Sequence, residues 1–188
     1  MEIKDGDQLI QAKLSNGDDS IIMATKEGKS IRFQETQVRP TGRRTKGVRG
    51  IMLNSSDSVI GMLIAKREGS VLVASENGYG KRSHLDEYRI QTRGGKGVYT
   101  MKKTHKTGSV VTILEAIEND DLMIITTQGV MIRQTVDNIR VIGRNTQGVR
   151  LLRLDDGSKI SSVTKVIKDE EDNDPPSNNP EDTRTPEE

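Results

Sequence analysis

Three glycine-rich, basic segments recur along this chain at a spacing of about fifty residues. The middle one reads Gln91-Thr92-Arg93-Gly94-Gly95-Lys96-Gly97, and its counterparts occupy residues 42–48 and 143–149. Their final glycines, Gly47, Gly97 and Gly148, set the register of a repeat that runs through most of the chain. A period of this length indicates a repeat architecture, in which one supersecondary unit recurs.

Short apolar runs separated by turn residues predict four β-strands in each repeat. An opening strand predicted over residues 9–14 recurs at 59–64 and at 110–114, and a fourth cycle begins at 160–163. Residues 48–53 are predicted as the last strand of the first unit. No segment keeps apolar residues at helical spacing over ten or more positions, and turn glycines occur too often for long helices. The chain is therefore predicted to be all-β.

Four-stranded units of about fifty residues are typical of the blades of a β-propeller. We predict a domain over residues 1–167, with repeats at about 6–56, 57–106 and 107–157 and a closing strand at 158–167. Three blades form only a partial ring, because propellers close with about four to eight. The alternatives are a fragment, further blades upstream, or an oligomer, and we favour the fragment.

The charge of the chain is divided between a basic body and an acidic end. Residues 1–168 hold 28 of the 29 Lys and Arg residues and 19 of the 28 acidic residues, a net charge of +9, whereas residues 169–188 carry −8. Residues 168–188 contain four of the five prolines and no apolar side chain, and this composition predicts a disordered acidic tail. The division suggests a polyanionic partner, with the tail as an intramolecular competitor.

Other classes of protein fit poorly. The chain has no cysteine and two histidines, His84 and His105, at unrelated positions of the repeat, so a metal site is not expected. No apolar run approaches the ~18 residues of a membrane helix, and no phosphate-binding GxxxxGK[ST] loop occurs. Gly94-Gly95-Lys96-Gly97 matches the GxxG of a KH domain, but the two helices that flank such a loop are not predicted.

The repeated cations suggest a nucleic-acid interface. Matching positions on successive blades share one face or rim, so these side chains should form a curved basic stripe, and glycines let the backbone approach a phosphate. The stripe also includes Arg32 and Arg133 on the third strands. The candidate DNA-binding residues are Arg39, Arg43, Arg44, Lys46, Arg82, Arg89, Gln91, Arg93, Gly94, Gly95, Lys96, Gly97, Arg140 and Arg144.

Three stretches carry a family resemblance: Gly28-Lys29-Ser30-Ile31-Arg32-Phe33, Asn77-Gly78-Tyr79-Gly80-Lys81-Arg82 and residues 141–149. With them the chain resembles the C-terminal domain of the A subunit of DNA gyrase, its last three of six blades plus the acidic tail. The family's functional box is Gln-Arg-Arg-Gly-Gly-Lys-Gly, and residues 91–97 match it at six of seven positions, with Thr92 in place of Arg. The box usually lies in the first blade. Here the match lies in what resembles the fifth blade, so it is either a displaced box or a degenerate copy of a true box upstream. The DNA-wrapping role of the box is therefore not assigned as a whole to residues 91–97.

The resemblance implies a β-pinwheel, a propeller in which neighbouring blades exchange a strand. It also implies an accessory domain that binds and wraps duplex DNA and supports ATP-dependent negative supercoiling. Its partners would be the rest of the A subunit and the B subunit of gyrase, in an assembly of two copies of each. ATP, Mg²⁺ and the cleavage tyrosine belong elsewhere in that enzyme, so no catalytic residue, cofactor or membrane contact is expected here. The expected location is the bacterial cytoplasm, at the nucleoid. The alternatives are the similar domain of topoisomerase IV and a propeller that binds proteins.

Overall fold

The computed structural model of the chain describes residues 3, 5–43, 45–65 and 69–166. These residues form eleven strands and three single-turn 3-10 helices, at Glu35–Gln37, Leu85–Glu87 and Val136–Asn138. The all-β prediction is confirmed. The strands are β1 Ser20–Thr25, β2 Lys29–Gln34, β3 Val59–Ala65, β4 Ser70–Ser75, β5 Tyr79–His84, β6 Val98–Tyr99, β7 Val110–Ala116, β8 Asp121–Thr126, β9 Met131–Thr135, β10 Val149–Arg150 and β11 Ile160–Val166.

The strands form three antiparallel sheets, which we call blades A, B and C. Blade A has the strand order β3-β1-β2-β6, blade B the order β7-β4-β5-β10, and blade C the order β11-β8-β9. Strand β4 shows why the short apolar runs of the sequence form the central strands of these sheets. All six of its residues are buried, because it is central in its sheet and packs against neighbouring blades on both faces.

Each complete blade borrows strands from later repeats. In blade A, β3 pairs with β1 with Leu63 opposite Ile22, and β6 pairs with β2 with Val98 opposite Ser30. Blade B takes β7 and β10 in the same way. The strand exchange that the family resemblance implies is therefore present. As a result, the sheets cross the repeat boundaries proposed from the sequence.

Two predicted strands of the first repeat are wrong. Residues 9–14 and 48–53 form no strand, although they match β3 and β6 in sequence pattern. In the other repeats these segments pair with the preceding blade, and no strand precedes residue 20 in the described part of the chain. Residues 9–14 instead run beside β3, where Gln11 Oε1 accepts a hydrogen bond from Met62 N at 2.8 Å.

The apolar core lies between the blades. Ile22 and Leu63 of blade A pack with Val71 and Val73 of blade B, together with Tyr88 and Met101. A second cluster joins Leu72 of blade B to Leu122 and Ile124 of blade C. Burial of each large apolar side chain contributes about 1.5–3 kcal/mol. Blade-to-blade packing therefore supplies much of the stabilisation.

Arginines on β2 of blade A and β5 of blade B also join the blades. Arg32 Nη1 donates to the carbonyls of Leu85 at 3.0 Å and Tyr88 at 3.2 Å in the next blade. One repeat later, Arg82 Nε donates to Ile139 O at 2.7 Å. Arg82 is only 5% exposed, so its side chain does not lie on the surface where the sequence predicted a DNA contact. Its guanidinium is enclosed between blades B and C.

We expect Arg82→Ala to lower the free energy of unfolding by about 1–3 kcal/mol, because it leaves a buried carbonyl without its donor. The exposed Arg89 is the matched control, and Arg89→Ala should change stability by less than about 0.5 kcal/mol. Urea unfolding followed by circular dichroism measures both. Equal stability of the two variants would contradict the structural role of Arg82.

Candidate nucleic-acid interface

The basic segments lie at the outer edges of the blades. We call residues 42–48 the first loop, 91–97 the second loop and 143–149 the third loop. Strands β3, β7 and β11 border a cavity of about 480 Å³ on the inner side of the arc. The opposite sheet edges are formed by β6 and β10. The second loop leads directly into β6 and the third loop into β10, so both lie at the outer rim.

Backbone hydrogen bonds join the loops in series along this rim. In the second loop, Gly94 N donates to Gly50 O at 2.7 Å and Gly95 O accepts from Met52 N at 2.8 Å. In the third loop, Thr146 O accepts from Lys102 N at 2.9 Å. Each of these loops is therefore hydrogen-bonded to the segment that follows the preceding loop. Residues at the same repeat position thus lie at corresponding places on successive blades.

The final glycines of the second and third loops are required by close backbone approach. Gly97 has φ +69°, and a Cβ there would lie 2.3 Å from Ser30 O. Gly148 has φ +79°, and a Cβ there would lie 2.6 Å from Gly80 O. The corresponding Gly47 of the first loop has no atom within 4 Å of such a Cβ. Gly97 and Gly148 thus allow the chain to pass onto the edge of a neighbouring sheet.

The arginines of the second and third loops hold the loops in place. Arg93 Nε donates to Gln37 O at 3.2 Å, and its Nη1 donates to Arg49 O. Arg144 repeats this geometry, with Nε on Glu87 O at 3.1 Å and Nη1 on Tyr99 O at 2.6 Å. Both side chains are half-buried, so they bring charge to the rim while bonding the preceding repeat.

The exposed cations follow the same repeat. The residues before the loops lie on the surface in all three repeats, and so do cations within the first and second loops. Gln91 is half-buried, and its backbone carbonyl accepts from Gln37 Nε2 at 3.2 Å. Arg44 lies outside the described residues. The exposed residues are Arg39, Arg89, Arg140, Arg43, Lys46 and Lys96.

Sequence reasoning missed the buried lysine beneath the third loop. The Lys81 side chain is fully buried, and its Nζ donates to Gly143 O at 2.7 Å, Thr146 Oγ1 at 3.1 Å and Arg144 O. Burial lowers the pKa of this ammonium group from 10.5 to about 8. The equivalent residue of blade A is Ile31, beneath Gly95 of the second loop. The detectable signal was a lysine at a repeat position that is isoleucine in the other two repeats.

Residues just after the loops also lie at the surface of the rim. Arg49, Tyr99 and Arg150 occupy one repeat position, and all three are exposed. Lys29 Nζ lies 5.9 Å from the centre of the Tyr99 ring. This position adds charge and one aromatic face to the rim, beside the loops themselves.

The described residues contain no cluster of three or more histidine, aspartate or glutamate side chains that could hold a metal ion. Nor does any helix among them have the length and apolar character needed to cross a bilayer.

The family model described as "DNA gyrase C-terminal domain, beta-propeller" matches residues 19–66, 69–115 and 120–167. The chain belongs to the DNA gyrase C-terminal domain family. Each matched segment spans the central hairpin of one blade and the strand that pairs beside it.

Curated relatives agree with this assignment. The A subunit of DNA gyrase from Staphylococcus epidermidis is 43% identical over 175 residues, which cover 92% of this chain and 20% of the relative. The corresponding A subunit from Staphylococcus aureus is 43% identical over 174 residues, with the same coverage. The chain thus spans about a fifth of the length of these relatives.

Solved structures share the fold. A DNA gyrase A C-terminal domain superposes with a TM-score of 0.82 at 31% identity, covering 89% of this chain and 57% of that one. The C-terminal domain of DNA topoisomerase IV gives a TM-score of 0.82 at 24% identity, covering 88% of this chain and 52% of that one. The latter likeness shows the fold alone. The gyrase assignment made from the sequence is confirmed.

In this gyrase-family domain we expect Gly97→Ala to reduce the free energy of unfolding by at least about 1–3 kcal/mol, because it combines an unfavourable φ with a backbone clash. Gly47→Ala is the matched control at the same repeat position and should be tolerated, since its site is open and its φ is not positive. Thermal unfolding of both variants provides the measurement. Equal losses would show that the close approach at Gly97 is unimportant.

Lys81 predicts a distinctive pH dependence. Its folded-state pKa of about 8 lies below the ordinary 10.5, so the unfolded chain retains this proton over the interval between them. Stability contributed by Lys81 is therefore fully present above pH 10.5 and is lost as the pH falls through 8.

We compare Lys81→Met with the wild-type chain by urea unfolding at pH 7, 8, 9 and 10. The stability of the wild type relative to the variant should increase from pH 8 upwards, because methionine carries no titrating group. A constant difference across this range would contradict the assigned titration.

Proposed function

We propose that this domain binds duplex DNA along its outer rim with little sequence preference and bends the DNA around the arc of blades. The observation that supports the proposal is the serial linkage of the basic loops. Because the second and third loops are bonded to the preceding repeat by equivalent contacts, their cations recur at one height on successive blades. A duplex lying along the rim meets a comparable set of donors at each blade.

The charges at the rim suit phosphates better than base edges. Arg39, Arg89 and Arg140 are exposed cations at one repeat position, and Lys96 adds another between the last two in the sequence. Contacts of this kind position DNA without reading its sequence. Bending 20–30 base pairs by 40–90° costs about 1–6 kcal/mol, so several blades must contribute for wrapping to occur.

We also propose the wider setting of the domain. The curated relatives are A subunits of DNA gyrase, and on that basis this domain would act beside the B subunit of gyrase in the complete enzyme. It would present wrapped DNA to the strand-passage machinery and so favour negative supercoils. ATP and Mg²⁺ would be bound elsewhere in the enzyme. The expected location is the bacterial nucleoid.

The binding test measures the affinity of the full chain for duplexes of 15, 30 and 60 base pairs at 50 and 200 mM salt. With six to ten phosphate contacts, affinity should fall by about 10³–10⁵ between these concentrations. Longer duplexes should bind more tightly. A protein-binding propeller would show neither the length dependence nor the steep salt dependence.

Single-residue variants locate the contacts. Arg89→Ala and Lys96→Ala should each weaken binding for every duplex sequence and reduce the slope of log affinity against log salt by about 0.9. Lys13→Ala is the control, because Lys13 borders the inner cavity rather than the rim. Loss of binding to one sequence only would indicate base recognition instead.

Two further arms separate wrapping and tail effects from simple binding. A plasmid relaxed by a nicking-closing enzyme in the presence of the chain should change its linking number if the DNA is wrapped, whereas binding alone leaves it unchanged.

We propose that residues 169–188, with a net charge of −8, compete with DNA for the rim. A chain ending at residue 168 should then bind more tightly at low salt, and unchanged affinity would rule out competition.

A further inference from the structure

A basic cavity of about 1100 Å³ lies beside the third loop, outside the three loop segments described above. It is lined by two hairpin turns, through Glu27 between β1 and β2 and Glu76 between β4 and β5. Lys102 and Lys103, which follow β6, line it as well, and so does Asn145 of the third loop. The cavity therefore adjoins the rim at the third loop.

The charge of this cavity comes from a segment that the other repeats do not reproduce. Residues 102–106 read Lys-Lys-Thr-His-Lys. Residues 52–56, at the same repeat position, read Met-Leu-Asn-Ser-Ser and hold no cation, and residues 153–157 hold one arginine and two aspartates. Cations are thus concentrated at one of the three equivalent places, and the repeat alone does not account for them.

Two of the four lysines that line the cavity are neutralised by its two glutamates. Lys103 Nζ lies 2.5 Å from Glu27 Oε1, and Lys159 Nζ lies 2.9 Å from Glu76 Oε2. Lys102, by contrast, is exposed, and its ammonium group makes no ion pair or hydrogen bond within the described part of the chain. The cavity is therefore left with a positive charge that no carboxylate balances.

This unpaired lysine lies next to a loop that has no exposed lysine of its own. The backbone N–H of Lys102 donates to Thr146 O at 2.9 Å, so the segment after β6 is bonded directly to the third loop. In the third loop, Gln147 occupies the repeat position of Lys96. Lys102 thus supplies, from a neighbouring segment, the exposed ammonium group that the third loop lacks.

The other lining groups suit the backbone of a nucleic acid. Tyr99 lines the cavity with a half-exposed ring, and Lys29 Nζ lies 5.9 Å from the centre of that ring. The side-chain amides of Asn54 and Asn145 also line it. Lysine, asparagine and tyrosine side chains commonly bind the phosphates and sugars of DNA, where they position the duplex without reading its sequence.

We propose that the duplex bound at the rim also places its sugar-phosphate backbone in this cavity, with a phosphate on Lys102 Nζ. The inference rests on the DNA binding proposed above and adds a contact outside the loops. A duplex needs only one phosphate contact here, because the exposed cations of the loops hold the others. A compact polyphosphate would need several cations at one point, and Lys103 and Lys159 are already paired. The path of the duplex is therefore displaced toward the hairpin turns where it passes the third loop.

The salt dependence of binding to a 60-base-pair duplex tests the contact at Lys102. Lys102→Gln removes one ammonium group, so the ratio of wild-type to variant affinity should fall about threefold between 50 and 200 mM salt. Lys102→Arg should restore wild-type behaviour. Lys26→Gln is the matched control, because Lys26 is an exposed lysine in the turn between β1 and β2 that does not line the cavity. An unchanged ratio for Lys102→Gln, or the same fall for both glutamine variants, overturns the contact.

A substitution of Glu27 should have the opposite effect. Glu27→Gln releases Lys103 from its ion pair and removes a negative charge from the cavity, so the duplex should bind more tightly. Once Lys103 contacts a phosphate, this gain should be about threefold larger at 50 mM salt than at 200 mM. Glu118→Gln is the control at an exposed glutamate outside the cavity. If Glu27→Gln binds no more tightly than the wild type, the cavity does not contact DNA.

A cleavage probe locates the duplex directly. The chain has no cysteine, so Lys102→Cys can carry an iron chelate that cleaves nearby DNA. The labelled chain should cut the bound 60-base-pair duplex at 50 mM salt. The same label on Lys13→Cys, at the inner cavity, should cut it much less. Equal cleavage from the two positions overturns the proposed path.

Two comparisons separate failure of this inference from failure of the proposed function. If Arg89→Ala and Lys96→Ala reduce the salt dependence but Lys102→Gln does not, the rim binds DNA and the cavity does not. If none of the three variants changes it, the proposed function fails as well. Calorimetric titration with tripolyphosphate covers the alternative ligand. Micromolar binding that Lys102→Gln abolishes, with duplex affinity unchanged, would assign the cavity to a compact anion and overturn the inference.

Discussion

The contact of each blade with the next determines most of the structure. An arginine on the third strand, Arg32 or Arg82, bonds backbone carbonyls across the junction, and an apolar cluster packs beside it. The junction also receives an exchanged strand from a later repeat. Each exchanged strand belongs to one repeat in the sequence but is hydrogen-bonded into the sheet of the preceding repeat. A change at one junction therefore affects the sheets on both sides.

The rim is a consequence of these junctions. The exchanged outer strands β6 and β10 are only two residues long, and the basic loops precede them directly. Arg93 and Arg144 use two nitrogens each to hold the loops against the preceding repeat. Some of the charge that favours an anionic partner is therefore also structural, whereas Arg89, Arg140 and Lys96 are exposed at the rim.

The third loop is supported by different side chains from the second loop. The second loop lies over the apolar Ile31 and carries an exposed lysine, Lys96. The third loop has Gln147 at the position of Lys96, and the buried ammonium group of Lys81 bonds it from below. The cation has thus moved from the outer side of the loop to its inner side. An internal cation fixes the loop carbonyls, but it is not accessible to a phosphate.

The sequence determined the all-β class, the three-fold repeat and the location of the glycine loops, because spacing and apolar pattern are local properties that recur in each unit. Tertiary structure alone decided which blade each strand joins. Residues 9–14 match β3 in pattern and residues 48–53 match β6, yet among the described residues only β3 and β6 pair with a sheet edge. Tertiary structure also decided that Arg82 is enclosed whereas Arg89 is exposed. Burial depends on what packs against a side chain, and the repeat register does not specify it.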